Sequence, residues 1–255
     1  MKLALSNFAW DFPELENISK VLNETGIEYV EVVFSKYCDW NDITTEKVTE
    51  LKELLDKYNL KAISSQSLFY NVDCKSIVTE SEKFINHVQK LIEYSKILGI
   101  KVLVFGSPAL RKVGGYTFSN LHETFNKIDA LLDGTDIVFC IEPNSKIYGG
   151  EFFYTIKEIV DFLTKFKYKN IVTMCDTHNS WLEGQDPNDE LTKYKDYIKH
   201  IHISEVNLDI ITDSKKHDEI KQTLMEINFD GLLTYEVKPN ENLNQSIKLF
   251  SEIYK

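Results

Sequence analysis

Eight short apolar runs, separated by longer amphipathic stretches, recur along the whole chain, and this alternation limits the available folds more than any other feature. The runs are LALSNFA (3–9), YVEVVF (29–34), LKAISSQSLF (60–69), KVLVFGSP (101–108), IVFCIEPN (137–144), IVTMCDTHN (171–179), IKHIHISE (198–205) and LLTYEVKP (232–239). Between them the hydrophobic period predicts helices, among them Pro13–Thr25, Thr45–Tyr58, Glu80–Leu98, Phe118–Asp133, Tyr154–Phe166 and Asn242–Tyr254. Several end at Gly or Asn, as in LGI at 98–100 and YKN at 168–170. Short buried strands joined by helical crossovers predict a parallel sheet covered by helices. A chain of 255 residues matches the roughly 250 that a closed eightfold barrel needs. No Pro/Ser-rich linker or low-complexity tract divides it, so the expectation is an α/β protein, a single (β/α)8 TIM barrel over residues 1–255. An open doubly wound sheet would usually carry a glycine-rich phosphate loop after its first strand, and SNFAWDFPE has no glycine.

Charge narrows the partners. The net charge is −11, which argues against a generic electrostatic grip on nucleic acid or anionic membrane and leaves only a local basic patch open. Of 29 basic residues only Arg111 is an arginine, so no arginine cluster recognises phosphate or carboxylate groups. The four cysteines (Cys38, Cys74, Cys140, Cys175) form no CxxC pair and read as small core residues of a reducing compartment. Asn7 and Asp11 interrupt the first apolar residues too early for a signal-peptide core, and no stretch approaches the roughly 20 apolar residues of a membrane span. A cytoplasmic location is expected, with neither nucleic acid nor membrane as partner and with a homo-oligomer left open.

In such barrels the active site forms at the C-terminal strand ends. The last four runs close on Glu142 (IEPN), Asp176 (CDTHN), His202 (HIHISE) and Glu236 (YEVKP). A carboxylate at the end of a buried strand is costly to desolvate unless a positive group neutralises it, and no basic residue precedes these within their own strands except Lys199 and His200, which open the seventh. A divalent cation is the economical partner. Three oxygen donors and one nitrogen suit Mn2+, Mg2+ or Co2+, with Zn2+ also open.

IEPN, CDTHN, HIHISEVN and FDGLLTYEVKP, in this order and spacing, resemble the metal motifs of the xylose-isomerase-like barrel superfamily. That superfamily includes ketose 3-epimerases, hydroxypyruvate isomerase, inosose dehydratase and endonuclease IV. EPNSKIYGGEF together with FGSP is similar to a bacterial branch of it. The resemblance implies one divalent metal ion on Glu142, Asp176, His202 and Glu236, with Glu142 and Glu236 as the acid/base pair on opposite sides of a substrate carbon. It implies a sugar isomerase or epimerase, because a proton beside a carbonyl becomes removable when a metal polarises the carbonyl and stabilises the enediolate. A dehydratase or lyase would use the same residues, and a non-catalytic sugar-binding barrel is the bland alternative. A nuclease of the endonuclease type needs extra histidines in the early strands, where this chain has none before His87. Two positions depart from the epimerase pattern: Asn179 stands where a histidine is usual, and Leu208 where an arginine is common.

Around these four residues the expected contacts to a small carbohydrate are Trp10 and Tyr148 by stacking, Gln66, Ser107, Asn144, Asn179 and Glu205 by hydrogen bonds, and Lys238 and Arg111 by charge. Each has a plainer reading as core, cap or surface residue. His200, two before His202, is expected on the same side of the strand and one layer deeper.

Overall fold

A computed structural model describes residues 1–115, 117–212 and 214–255. All eight apolar runs become parallel strands of one closed barrel: β1 (Lys2–Ser6), β2 (Tyr29–Val32), β3 (Lys61–Ser65), β4 (Val102–Phe105), β5 (Val138–Ile141), β6 (Ile171–Asp176), β7 (Ile198–Ile203) and β8 (Leu232–Tyr235). The helices are α1 (Leu15–Thr25), α2 (Phe34–Tyr37), α3 (Thr45–Lys57), α4 (Ser81–Leu98), α5 (Phe118–Leu132), α6 (Ile156–Phe166), α7 (Thr177–Leu182), α8 (Pro187–Tyr194), α9 (Ser214–Glu226) and α10 (Leu243–Tyr254). β1 pairs with β8, Leu3 opposite Leu233 and Leu5 opposite Tyr235, which closes the sheet and leaves no open edge. The strands are shorter than the runs that encode them, because apolar burial continues past the last ladder bond into the loops.

Local chemistry sets the helix ends. Thr44, Thr117 and Thr155 accept hydrogen bonds from the backbone N–H groups of Lys47, Asn120 and Glu158, satisfying amides that a first turn leaves unpaired. α1 and α4 stop at Gly26 and Gly99, which take the left-handed conformation at φ 62° and 84°.

Strand residues alternate between two buried layers. Leu5, Val30, Leu103, Phe105, Phe139, Ile141, Ile201 and Leu233 join the helices in one large apolar core. Their neighbours face the bore. Early in the strands these are apolar, with Val102, Val104, Cys140 and Met174 in one cluster and Ala4, Ile63 and Leu232 in another. Two residues further along the same rows the bore turns polar, with Ser6 after Ala4, Glu142 after Cys140, Asp176 after Met174, and Glu236 after Thr234. The register shifts opposite Val30/Glu31, where β3 has the extra residue Ile63, and opposite Thr173/Met174, where β7 has the extra residue Lys199. Among the described residues no helix is long and apolar enough to cross a membrane.

Candidate functional site

Glu142 follows β5 directly and Glu236 follows β8, while His202 is the penultimate residue of β7. The ring Nδ1 of His202 lies 3.4 Å from Glu142 Oε1 and 3.2 Å from Glu236 Oε2. Glu142 reaches this position across Gly106, where a Cβ would stand 2.0 Å from its Oε2, so the carboxylate occupies space that only glycine leaves free. Asn144 Nδ2 donates to the same Oε2 at 3.3 Å.

Beneath these donors, β2 sends in Glu31, wholly buried like His200 and His202. Its carboxylate stands 3.0 Å from His200 Nε2 and 3.1 Å from His202 Nε2. Gln66 Nε2 donates to Glu31 Oε1 at 3.1 Å, to Glu236 Oε1 at 2.7 Å and to Ser6 Oγ at 2.9 Å. Burial alone would push the Glu31 carboxyl upward, but the charge of His202 and the closeness of both imidazoles hold it well below the usual carboxylate range. His200 is pushed down, chiefly by burial. For His202, burial acts downward and is outweighed by the charges of Glu31 and Glu236, so its proton is held well above the ordinary histidine range.

Asp176 closes β6 and is pushed up to about 8, first by burial and then by Glu236 and Glu142. Its Oδ1 accepts from Ser204 Oγ at 2.5 Å and from the His178 amide at 3.0 Å. Above it, Tyr148 Oη and His178 Nε2 are 2.7 Å apart, bridging the β5 and β6 loops across the mouth.

The donors fit a divalent cation. His202 Nδ1 is buried without a hydrogen-bond partner, although two carboxylates stand close to it. Ligand atoms sharing one cation at bonds of about 2.1 Å sit about 3 Å apart when adjacent, near the spacings found here. Glu142, His202 and Glu236 offer donor atoms all within 4.8 Å of one another, and Glu31, His200 and His202 form a second such group. Asp176 stands outside both triads and couples to the first through its charge.

The other expected contacts divide. Tyr148 is 44% exposed at the rim with its hydroxyl engaged by His178, and Lys238 is also exposed there. Ser107 opens the 108–111 turn at φ 45° and is partly buried. Gln66 and Asn144 hold Glu236 and Glu142 rather than open onto the mouth. Glu205 is engaged by His217 Nε2 at 3.0 Å and Lys216 Nζ at 3.5 Å, tying the β7 loop to α9. Three expectations are corrected. Arg111 is no clamp: it is fully buried, donating to the carbonyls of Phe105, Glu142 and Phe153 at 2.9, 2.8 and 3.2 Å. Trp10 is 1% exposed and packs into the sheet–helix core, so no ligand can stack on it. Asn179 is buried, its Nδ2 spent on the Tyr154 carbonyl.

Sequence reasoning missed Glu31, Ser204 and the Tyr148–His178 bridge. Glu31 had a signal, a carboxylate inside the apolar run YVEVVF, the same anomaly that singled out the later strands. Ser204 follows His202 by two and had only that spacing to mark it.

A family profile described as xylose isomerase-like TIM barrel matches residues 20–253. Among solved structures, a D-psicose 3-epimerase from Clostridium cellulolyticum is similar at TM-score 0.75 and 14% identity, over 99% of this chain and 91% of that one. An AP endonuclease of family 2 from Brucella melitensis is similar at TM-score 0.79 and 16% identity, over 99% of both chains. A probable 3-DHS dehydratase from Bacillus anthracis is similar at TM-score 0.70 and 15% identity, over 99% and 98%. No protein with a curated description matches the sequence.

Proposed function

The chain belongs to the xylose isomerase-like TIM barrel family, and from the donors at its mouth we propose that it is a divalent-metal-dependent isomerase or epimerase of a sugar or sugar derivative. The observation that carries this reading is His202 Nδ1, buried, unpartnered and flanked by Glu142 and Glu236. In this proposal Glu142, His202, Glu236 and Asp176 hold one Mn2+, Mg2+ or Co2+ ion, Zn2+ also being compatible with the donor set. The ion supplies Lewis-acid polarisation of a substrate carbonyl. The chain supplies the proton transfers. One of Glu142 and Glu236 takes the proton from the carbon beside the carbonyl, and return by the other on the opposite face inverts that carbon. Delivery on the same face to the former carbonyl carbon instead, with the neighbouring hydroxyl proton passing to the old carbonyl oxygen, moves the carbonyl along the sugar. Each positioned acid or base contributes about 10²–10⁴-fold in rate. Gln66 and Asn144 keep the two carboxylates aimed, Lys238 is the rim group that meets hydroxyls or an anionic substituent, and Tyr148, held by His178, offers its exposed ring beside it.

The fold shared with solved 3-epimerases supports this reading, and so does the acidic charge, which suits a small neutral or metal-held substrate better than a nucleic acid strand. The test is metal analysis of the purified protein together with NMR in D2O over a panel of ketoses, phosphorylated sugars and inososes. About one dication per chain, with deuterium entering beside the carbonyl and no loss of water, is the expected result. Loss of water would move the assignment to a dehydratase on the same residues. A protein that binds no dication and exchanges no proton would overturn it.

A further inference from the structure

A metal-binding imidazole must present a lone pair, and an imidazole's two nitrogens compete for one proton, so whatever accepts a hydrogen bond at the far nitrogen decides which atom faces the metal. At His202 that group is Glu31. Its carboxylate lies 3.1 Å from Nε2, while Nδ1 points into the space between Glu142 and Glu236. Three further observations make Glu31 more than a buried filler. It is wholly inaccessible, so an ionised carboxylate there persists only if several donors satisfy it. Two donors hydrogen-bond to it, His202 Nε2 and Gln66 Nε2, each 3.1 Å from the carboxylate, while His200 Nε2 stands 3.0 Å away without hydrogen-bond geometry. Finally, the same Gln66 nitrogen continues to Glu236 Oε1 at 2.7 Å, so one carboxylate from β2 is linked to a nitrogen donor and an oxygen donor of the candidate centre.

We propose that Glu31 is a positioning residue that fixes His202 with its proton on Nε2, so that Nδ1 is offered to the divalent ion, and that it registers Glu236 through Gln66. This rests on the metal-dependent reading above. His200, wholly buried, packs against the same carboxylate with its Nε2 3.0 Å away.

The near-isosteric Glu31→Gln variant is the test. A carboxamide has one accepting oxygen and one donating nitrogen, so it cannot accept from Gln66 on one atom and from His202 on the other as the two carboxylate oxygens do. An imidazole that meets the amide nitrogen must carry its proton on the opposite atom. Titration calorimetry with Mn2+ should show affinity lowered by about 10–100-fold in Glu31→Gln, the range for residues that orient metal ligands. Glu31→Asp, which keeps the charge on a shorter arm, should recover part of that loss, as a merely space-filling role would not. Long-range 1H–15N NMR of the Mg2+-loaded wild type should find the His202 proton on Nε2. That measurement decides the matter even if Glu31→Gln fails to fold, because a proton on Nδ1 overturns the proposal. Equal Mn2+ affinity in wild type and Glu31→Gln overturns the positioning role while leaving the metal centre intact. A wild type that binds no dication overturns both.

Discussion

The strands present two buried layers built from alternate residues of the same peptides, and they differ in what they hold together. The outward layer meets the helices through Phe105, Phe125, Phe139 and Phe162, whose rings pack edge to face or stacked at centroid distances such as 5.5 Å for Phe105–Phe139. The inward layer carries Glu31, Gln66, Glu142, Asp176, His200, His202 and Glu236 in contact or in mutual electrostatic range. Apolar area stabilises the first layer without reference to any ligand. Carboxylates crowded in the second repel one another unless protons or a cation intervene, so its arrangement spends stability on chemistry. Folding and function are thereby assigned to opposite sides of one sheet.

The sharpest way to break this division is Glu236→Gln. Turnover should fall by about 10²–10⁴-fold, while the melting temperature of the chelated protein stays level or rises, because one charge that opposes Asp176 ionisation is gone. A parallel loss of stability and turnover would erase the distinction. Phe139→Ala should do the reverse, lowering unfolding free energy by about 3–5 kcal/mol in denaturant melts, with Mn2+ affinity of the folded fraction unchanged.

pH sharpens the contrast further. Asp176 is an ordinary acid at 3.8 in the unfolded chain and sits at about 8 in the fold, so between those values the folded protein retains a proton that the unfolded chain has released. Stability therefore falls as pH rises across that window. His202 acts in the same direction, its contribution being complete below the unfolded value of 6.5 and lost as pH climbs through its higher folded value. Scanning calorimetry of chelated protein should show a melting temperature that drops over this range, and saturating Mn2+ should flatten the curve. The smallest effect belongs to the helix layer alone. Thr155→Ala removes the cap of α6 and should cost about 1 kcal/mol in chemical melts, with no change at the mouth.

The outward layer was the more legible one. Its apolar residues set the strands and the period of the helices, and all eight units follow from that pattern without knowledge of any contact. Residues that close a strand were also readable, since Glu142, Asp176, His202 and Glu236 interrupt apolar runs at one equivalent place. Polar residues short of the strand end were harder. Glu31 meets its partners 169 and 171 residues along the chain only after the barrel closes, and no local spacing encodes that meeting. Arg111 misled for a related reason. A lone arginine in a glycine-containing loop suggests a ligand clamp, and only the packed structure reveals three main-chain carbonyls waiting for its fork.

That arginine has a further consequence. Because it fastens backbone oxygens at positions 105, 142 and 153, the joint does not depend on which side chains stand there. The loops around the mouth can therefore exchange residues while Glu142 keeps its bearing. A lysine, with all its donors on one nitrogen, could not span three separate carbonyls at once, and this is the one place among 29 basic positions where the chain does not use one.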